Sequence, residues 1–441
     1  MSVFRKMNSA QIIILGFAAF ILFGALLLML PISTRGEGGA SFADAVFTST
    51  SAVCVTGLVV RDTATYWSGF GQAVILMLIQ VGGMGVVTFA VALASFSGRK
   101  ISLKQRSTMQ EAISAHSIGG VVNLTGFIIK LTAVFELAGV LIMAPSFCRE
   151  FGILKGIWYS LFHSVSAFCN AGFDLMGVKE QFSSLTYFSA DPLINIAVIA
   201  LITIGGIGFL TWDDIRKNKF RFRRYSMQSK VILTTSALLV LFPALYFFFG
   251  ELSGLPLGER IAQSVFQSVT TRTAGFNTAD LSAFSEVGVA VMIIPMLVGG
   301  SPGSTAGGMK TTTLAVLVST AVSVFRRREH THFFGRRTDE NTVRSASTIL
   351  TMYLVLFIGG GLIISRVEQL PLLTCLFETA SAVGTVGLTL GITPTLGHLS
   401  RAILILLMYL GRVGGLTLIF AALSGTTGNT ARLPQEKLTI G

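Results

Sequence analysis

Four stretches of the chain share a pattern suited to holding a cation with backbone oxygen alone. They read Phe47-Thr-Ser-Thr-Ser-Ala-Val-Cys54-Val55-Thr56-Gly57-Leu58, Phe162-His-Ser-Val-Ser-Ala-Phe-Cys169-Asn170-Ala171-Gly172-Phe173, Val265-Phe-Gln-Ser-Val-Thr-Thr-Arg272-Thr273-Ala274-Gly275-Phe276 and Phe377-Glu-Thr-Ala-Ser-Ala-Val-Gly384-Thr385-Val386-Gly387-Leu388. Each carries an apolar residue ten positions before a glycine and another just after it, and the glycines lie 115, 103 and 112 residues apart. Each starts with helix-compatible residues and ends in small or β-branched ones, so it reads as a half-helix followed by an extended loop. Non-helical backbone at membrane depth survives only where protein buries it or it lines a water-filled cavity. Four such loops around a pseudo-fourfold axis would present rings of carbonyls able to replace a cation's hydration shell. The C-terminal ends of the half-helices would add negative dipole character. A side chain at the glycine would forbid the required dihedral or intrude on the path.

The elements that position these loops must be membrane helices. Of 441 residues 52% are apolar and 12% charged, with a net charge of +12; a soluble domain carries about 25% charged residues. Uncharged runs cover 7–34, 63–98, 192–212, 231–250, 287–309 and 345–365, and a spanning helix needs about 20 apolar residues. The first run is too long for a cleaved signal core. Bases cluster at Arg5 and Lys6, Arg99 to Arg106, Arg216 to Lys230, Arg326 to Arg344, and Arg432 with Lys437. Those clusters alternate with pairs of spans, which under the positive-inside rule puts both termini in the cytoplasm and predicts eight transmembrane helices. The fold class is therefore an all-α polytopic membrane protein built of four covalently linked helix–pore loop–helix repeats. The repeats are expected at 10–96, 120–213, 230–325 and 345–424, with a cytoplasmic tail at 425–441. Cys54, Cys148, Cys169 and Cys375 lack the loop-borne spacing of a disulfide framework and read as free thiols.

A second mark follows each glycine in the inner helix: Gly82-Gly83-Met84-Gly85, Gly205-Gly206-Ile207-Gly208, Gly299-Gly300-Ser301-Pro302-Gly303 and Gly411-Arg412-Val413-Gly414. Glycine pairs in membrane helices usually form close-packing faces. In the third repeat the mark extends through Ser304, Thr305, Ala306, Gly307, Gly308, Met309 and Lys310, with five glycines and a proline in twelve residues, and no stable helix runs through that composition. It reads as a hinged intramembrane loop. Arg412 stands where two repeats have glycine, and the expectation is that its guanidinium donates to carbonyls of the 299–310 loop. Arg272 would repel cations if it faced them, so it must point behind its loop; Glu378 is the candidate partner for a buried pair bracing neighbouring repeats.

Other function classes lack their residues. The five histidines, His116, His163, His330, His332 and His398, make no HExxH pair, no intramembrane acidic dyad appears, and no Walker or Rossmann loop is present. His163 is expected to pack rather than react. The arginine runs at 221–224 and 326–328 follow from topology and imply no nucleic-acid partner. Carbonyl-lined loops carry the wrong sign for anions.

Helix, pore loop, helix, four times over, resembles the Trk/Ktr/HKT superfamily of potassium-translocating subunits across nearly the whole chain. The most specific pieces are Ser-Ala-Phe-Cys-Asn-Ala-Gly-Phe at 166–173, Thr-Arg-Thr-Ala-Gly-Phe-Asn at 271–277 and Gly-Thr-Val-Gly-Leu-Thr at 384–389. The chain is most similar to the Ktr branch, the KtrB/KtrD type, because its first span opens the first repeat. The resemblance implies a potassium filter at Cys54 to Gly57, Cys169 to Gly172, Arg272 to Gly275 and Gly384 to Gly387. It also implies a gate formed by the 299–310 loop and Arg412. Glycine rather than serine at position 57 argues within that superfamily for potassium, with sodium left open as activator or co-ion and no organic cofactor. It further implies a homodimer in the bacterial cell membrane, seated on a cytosolic ring of nucleotide-binding regulatory (RCK/KTN-type) subunits. The loops at 216–224 and 326–337 and the tail are where that ring would dock.

Overall fold

The computed structural model describes residues 7–96, 103–113, 121–219 and 221–415; the expected tail at 425–441 lies outside them. Each quarter repeats one motif of outer helix, short helix, loop and inner helix. The outer helices are Ser9–Leu28, Val121–Phe151, Met227–Phe249 and Glu340–Glu368. The short helices are Phe42–Val53, Ile153–Phe168, Leu257–Thr270 and Leu372–Gly384, and the inner helices are Gly69–Met84, Pro192–Ile207, Glu286–Leu297 and His398–Val413. Serines start many of them by accepting a backbone N–H, as Ser41, Ser68, Ser226 and Ser285 do.

Only the outer helices are long and apolar enough to cross a bilayer unbroken; the first two inner helices reach that length together with the helices after them, through bends of 97° and 93°. The eight-helix plan therefore holds as four full spans and four interrupted ones. The interruptions fall on the last glycine of the inner-helix mark, where Gly85, Gly208 and Gly414 take φ of 84°, 99° and 89°, a region that L side chains avoid.

The first glycine of the same mark does a different job. A β-carbon on Gly82, Gly205 or Gly411 would stand 2.2, 2.0 or 2.1 Å from the carbonyl oxygen of Val53, Phe168 or Val383. The inner helix thus lies directly against the C-terminal turn of its own short helix. On the other side, each short helix is tied to its outer helix by a hydroxyl: Ser49 to the Ile21 carbonyl, Ser164 to Glu136, Ser268 to Val240 and Thr379 to Phe357, at 2.5 to 3.1 Å. In membranes such bonds contribute modestly, about 0.6 kcal/mol each, but they fix rotation.

The third quarter departs by one residue. The apolar anchor ten positions before glycine is Phe47, Phe162 and Phe377 in three quarters, all fully buried; in the third, Phe266 fills that place at 1% exposure, not the expected Val265. Its helix-to-glycine stretch is one residue shorter.

The brace between neighbouring quarters also differs from expectation. Asp44 of the first short helix, 4% exposed at its side chain, accepts from Arg401 of the fourth inner helix at 3.2 Å and from the half-exposed Arg61 at 2.9 Å, while Arg401 also donates to the Pro394 carbonyl at 2.8 Å. Asp44→Asn leaves Arg401 without its carboxylate, so its thermal unfolding midpoint in detergent should drop, by the equivalent of ~3 kcal/mol. Arg61→Gln, at the exposed end, should cost ~1 kcal/mol or less. Equal midpoints for wild type and Asp44→Asn would remove the brace.

Candidate functional site: a four-glycine ring above a crossing loop

The four loops meet at their glycines. A β-carbon on Gly57 would lie 2.5 Å from the carbonyl oxygen of Ala171; on Gly172, 2.6 Å from that of Ala274; on Gly275, 2.4 Å from that of Val386; on Gly387, 2.1 Å from that of Thr56. Each glycine abuts the residue preceding the next glycine, and the fourth returns to the first. This cyclic order closes a ring of backbone with no room for side chains. All four glycines have positive φ, between 67° and 92°, so both space and dihedral demand glycine.

Two positions before each glycine stands a non-glycine residue with positive φ: Val55 at 57°, Asn170 at 58°, Thr273 at 68° and Thr385 at 52°. Three of these are β-branched, and such a conformation costs of order 1–3 kcal/mol each. Burial holds them, since all four are 1% exposed or less. Hydroxyls at the short-helix ends supply the remaining hold. Ser51 accepts from the Gly57 N–H at 3.1 Å and Ser381 from the Gly387 N–H at 3.0 Å. Ser166 donates to the Phe173 carbonyl at 2.7 Å and Thr270 to the Phe276 carbonyl at 2.6 Å. These four hydroxyls were not singled out from sequence, although their spacing from the glycines would have marked them.

Above the ring, the glycines floor a cavity of about 340 Å³ that Asp174, Asp280, Asn277 and Thr389 also line. Below it, residues 299–310 cross the axis as irregular chain. Thr305 donates its hydroxyl to the Phe168 carbonyl at 3.0 Å, and the Ser301 and Thr305 N–H groups donate to Gly206 and Gly205 at 3.0 and 3.2 Å. The Gly308 N–H donates to Gly411 at 3.2 Å, and a β-carbon on Gly307 would stand 2.2 Å from the Thr385 hydroxyl. Arg412 donates to the Thr305 carbonyl, as expected of it, and also to the Gly82 carbonyl at the end of the first inner helix. The loop is thereby tied to the other three quarters. Those carbonyls end a helix, where the negative dipole favours a cation. Lys310 donates to the Ala306 carbonyl at 2.8 Å, closing the loop on itself. Beneath, a second cavity of about 220 Å³ is lined by Glu111, Tyr353, Lys310 and Arg412. Acids face the upper cavity and two cations the lower.

The profile of the TrkH family, described as cation transport protein, matches residues 3–426. The chain belongs to the TrkH cation transport family. It is 38% identical to the potassium/sodium uptake protein NtpJ of Enterococcus hirae, over 99% of this chain and 98% of that protein. It is likewise 38% identical to the Ktr system potassium uptake protein B of Bacillus subtilis, over 99% of this chain and 97% of that one. The crystal structure of the potassium transporter TrkH from Vibrio parahaemolyticus superposes with a TM-score of 0.73 at 19% identity, covering 94% of this chain and 84% of that one, a likeness of fold.

Within this TrkH-family chain the pairing of Arg272 with Glu378 does not form. Arg272 points behind its loop, as expected, and donates to Ser236 of its own outer helix at 3.3 Å. Glu378 accepts from the Thr389 and Thr393 hydroxyls and from the Leu390 N–H at 3.2 Å. The two side chains sit at different depths: Glu378 is nine residues before its glycine and Arg272 three, about 9 Å apart at a helix rise of 1.5 Å. His163 packs, as expected, stacked on Phe147 at 5.0 Å with its ring bonded to Tyr159 and Leu175 backbone. The four cysteines are free. Glu136, assigned nothing from sequence, lies behind the second loop, 3.4 Å from Gln80 and 4.0 Å from the Cys169 sulfur.

Gly172→Ala should lower rubidium flux tenfold or more, since a barrier change of only ~1.4 kcal/mol suffices. Gly126→Ala, in open space on an outer helix, should leave flux unchanged. Equal flux in Gly172→Ala would remove the ring from the ion path.

Proposed function

We propose that this chain is a potassium uptake pathway of the bacterial cell membrane, with the residues ending at Gly57, Gly172, Gly275 and Gly387 as its filter. The loop at 299–310 and Arg412 act as the gate. The observation that carries this reading is the closed order of the glycines, each against the carbonyl before the next. Carbonyls crowded at one level can take over a cation's hydration, while acids above attract it and Arg412 below opposes it. The names of the relatives support potassium as cargo. Inside-negative potential contributes ~2.3 kcal/mol per 100 mV to each entering cation, about fiftyfold accumulation without nucleotide hydrolysis. A second reading, passage of sodium or of both ions, draws support from the relative named for potassium and sodium.

In this reading the chain pairs with a second copy and sits on a cytosolic ring of nucleotide-binding regulatory subunits. The exposed bases between Arg221 and Arg224 and from Arg326 to Arg337 face that ring, which works the gate from below.

Tracer flux through the purified chain in liposomes tests the filter: rubidium should pass in preference to sodium, and Gly57→Ser should narrow that preference. No preference in wild type would favour the second reading. For the gate, Arg412→Ala removes two hydrogen bonds from a charged donor, ~1.5 kcal/mol each, and should raise flux ~100-fold in the absence of the partner. Deletion of residues 301–308 should do likewise; unchanged or abolished flux in a folded dimeric deletion would overturn the gate.

A further inference from the structure

The third outer helix, the third inner helix and the helix that follows the crossing loop (Thr311–Phe325) enclose an apolar groove of about 610 Å³ on the outside of the bundle. Leu238, Phe242, Ile294, Val318 and Val322 form its walls. Several are largely uncovered, Phe242 at 65% and Ile294 at 64%, on helices that the family's fold places in lipid. Phe333 closes one end. It belongs to a small hairpin pairing His332–Phe333 with Arg336–Arg337, with Phe333 opposite Arg336.

That end is surrounded by bases. Lys230, at the start of the third outer helix, stands 5.9 Å from the Phe334 ring centroid, Arg328 lies 2.8 Å from the His332 ring, and Arg336 is fully exposed. None of the three pairs with an acid among the described residues, although Glu329, Asp339 and Glu340 are near in sequence. Positive-inside topology puts this end at the cytoplasmic leaflet. A cleft of this kind, apolar along its length and cationic at one mouth, matches a molecule with a hydrocarbon tail and an anionic head.

We propose that the groove binds the acyl chain of an anionic phospholipid whose head group is held by Lys230, Arg328 and Arg336. Charge complementarity argues against the other evident occupant: a second copy of this chain, net charge +12, would bring further bases to the same mouth. The walls include the helices on both sides of residues 299–310, so the bound lipid rests at the hinge of the crossing loop. The inference needs the membrane placement of the fold and not the filter reading, which flux selectivity tests separately.

Native mass spectrometry of the delipidated full chain, offered phosphatidylglycerol or phosphatidylcholine, tests it. Wild type should retain phosphatidylglycerol in preference. A juxtamembrane base near anionic lipid contributes ~1 kcal/mol, so the double variant Lys230→Gln/Arg336→Gln should lose about thirtyfold in that retention. Leu238→Trp fills the groove and should release the lipid while unfolding temperature and oligomeric state stay unchanged. Equal retention of both lipids by wild type, or undiminished phosphatidylglycerol on Leu238→Trp, would overturn the proposal. So would loss of a dimer with the lipid kept, which would make the groove a seam between copies.

Discussion

The carbonyl oxygen of Thr56 lies where a β-carbon on Gly387 would have to be, and the same exclusion runs from each quarter to the next around the axis. Backbone can approach backbone this closely only where nothing projects between, and the rest of the fold serves that approach. The inner helices could not support the short helices from below without a second set of glycines, Gly82, Gly205 and Gly411, laid against helix-end carbonyls. The loops could not hold left-handed Val55, Thr273 and Thr385 without burial on all sides and hydroxyl anchors at their bases. Contact at the centre thus sets tolerance at each outer layer.

Below the ring the four quarters stop being alike. The helix-breaking glycine that turns the first, second and fourth inner helices is replaced in the third by the twelve-residue loop, and the spare glycine of the fourth is replaced by Arg412. Neither change stands alone. The loop exposes a carbonyl at Thr305 in the middle of the membrane, and the arginine brings a charge there; each satisfies the other, with the Gly82 carbonyl taking the second amine. A buried guanidinium alone would be expensive, and so would an unpaired carbonyl.

Much of this was legible in sequence because it rests on glycine, whose placement follows backbone geometry directly. The ring positions, the interrupted third inner helix and the bond from Arg412 to the loop could all be read from spacing and composition. The one-residue shift in the third quarter could not: Val265 and Phe266 are both apolar, and spacing to Gly275 alone does not say which of them fills the pocket. Charge pairing misled for a different reason. Arg272 and Glu378 seemed partners because both were buried in neighbouring quarters, but depth along a helix decides contact before sign does. The brace that exists joins Asp44 to Arg401, 357 residues apart, and no local pattern announces a contact of that range.

Four quarters on one chain need not move together. In an assembly of identical subunits a gate is an iris, four copies of one part that must shift in concert or pass through partly open states. Here there is one bolt and one arm: Arg412 from the fourth quarter, the crossing loop from the third. Opening is a single off-axis event that leaves the glycine ring and its supports at rest. The pathway therefore separates choosing from admitting. The ring keeps near-perfect rotational order, because an ion must meet equal oxygens on every side, while the door beneath it is lopsided and can be worked from one flank.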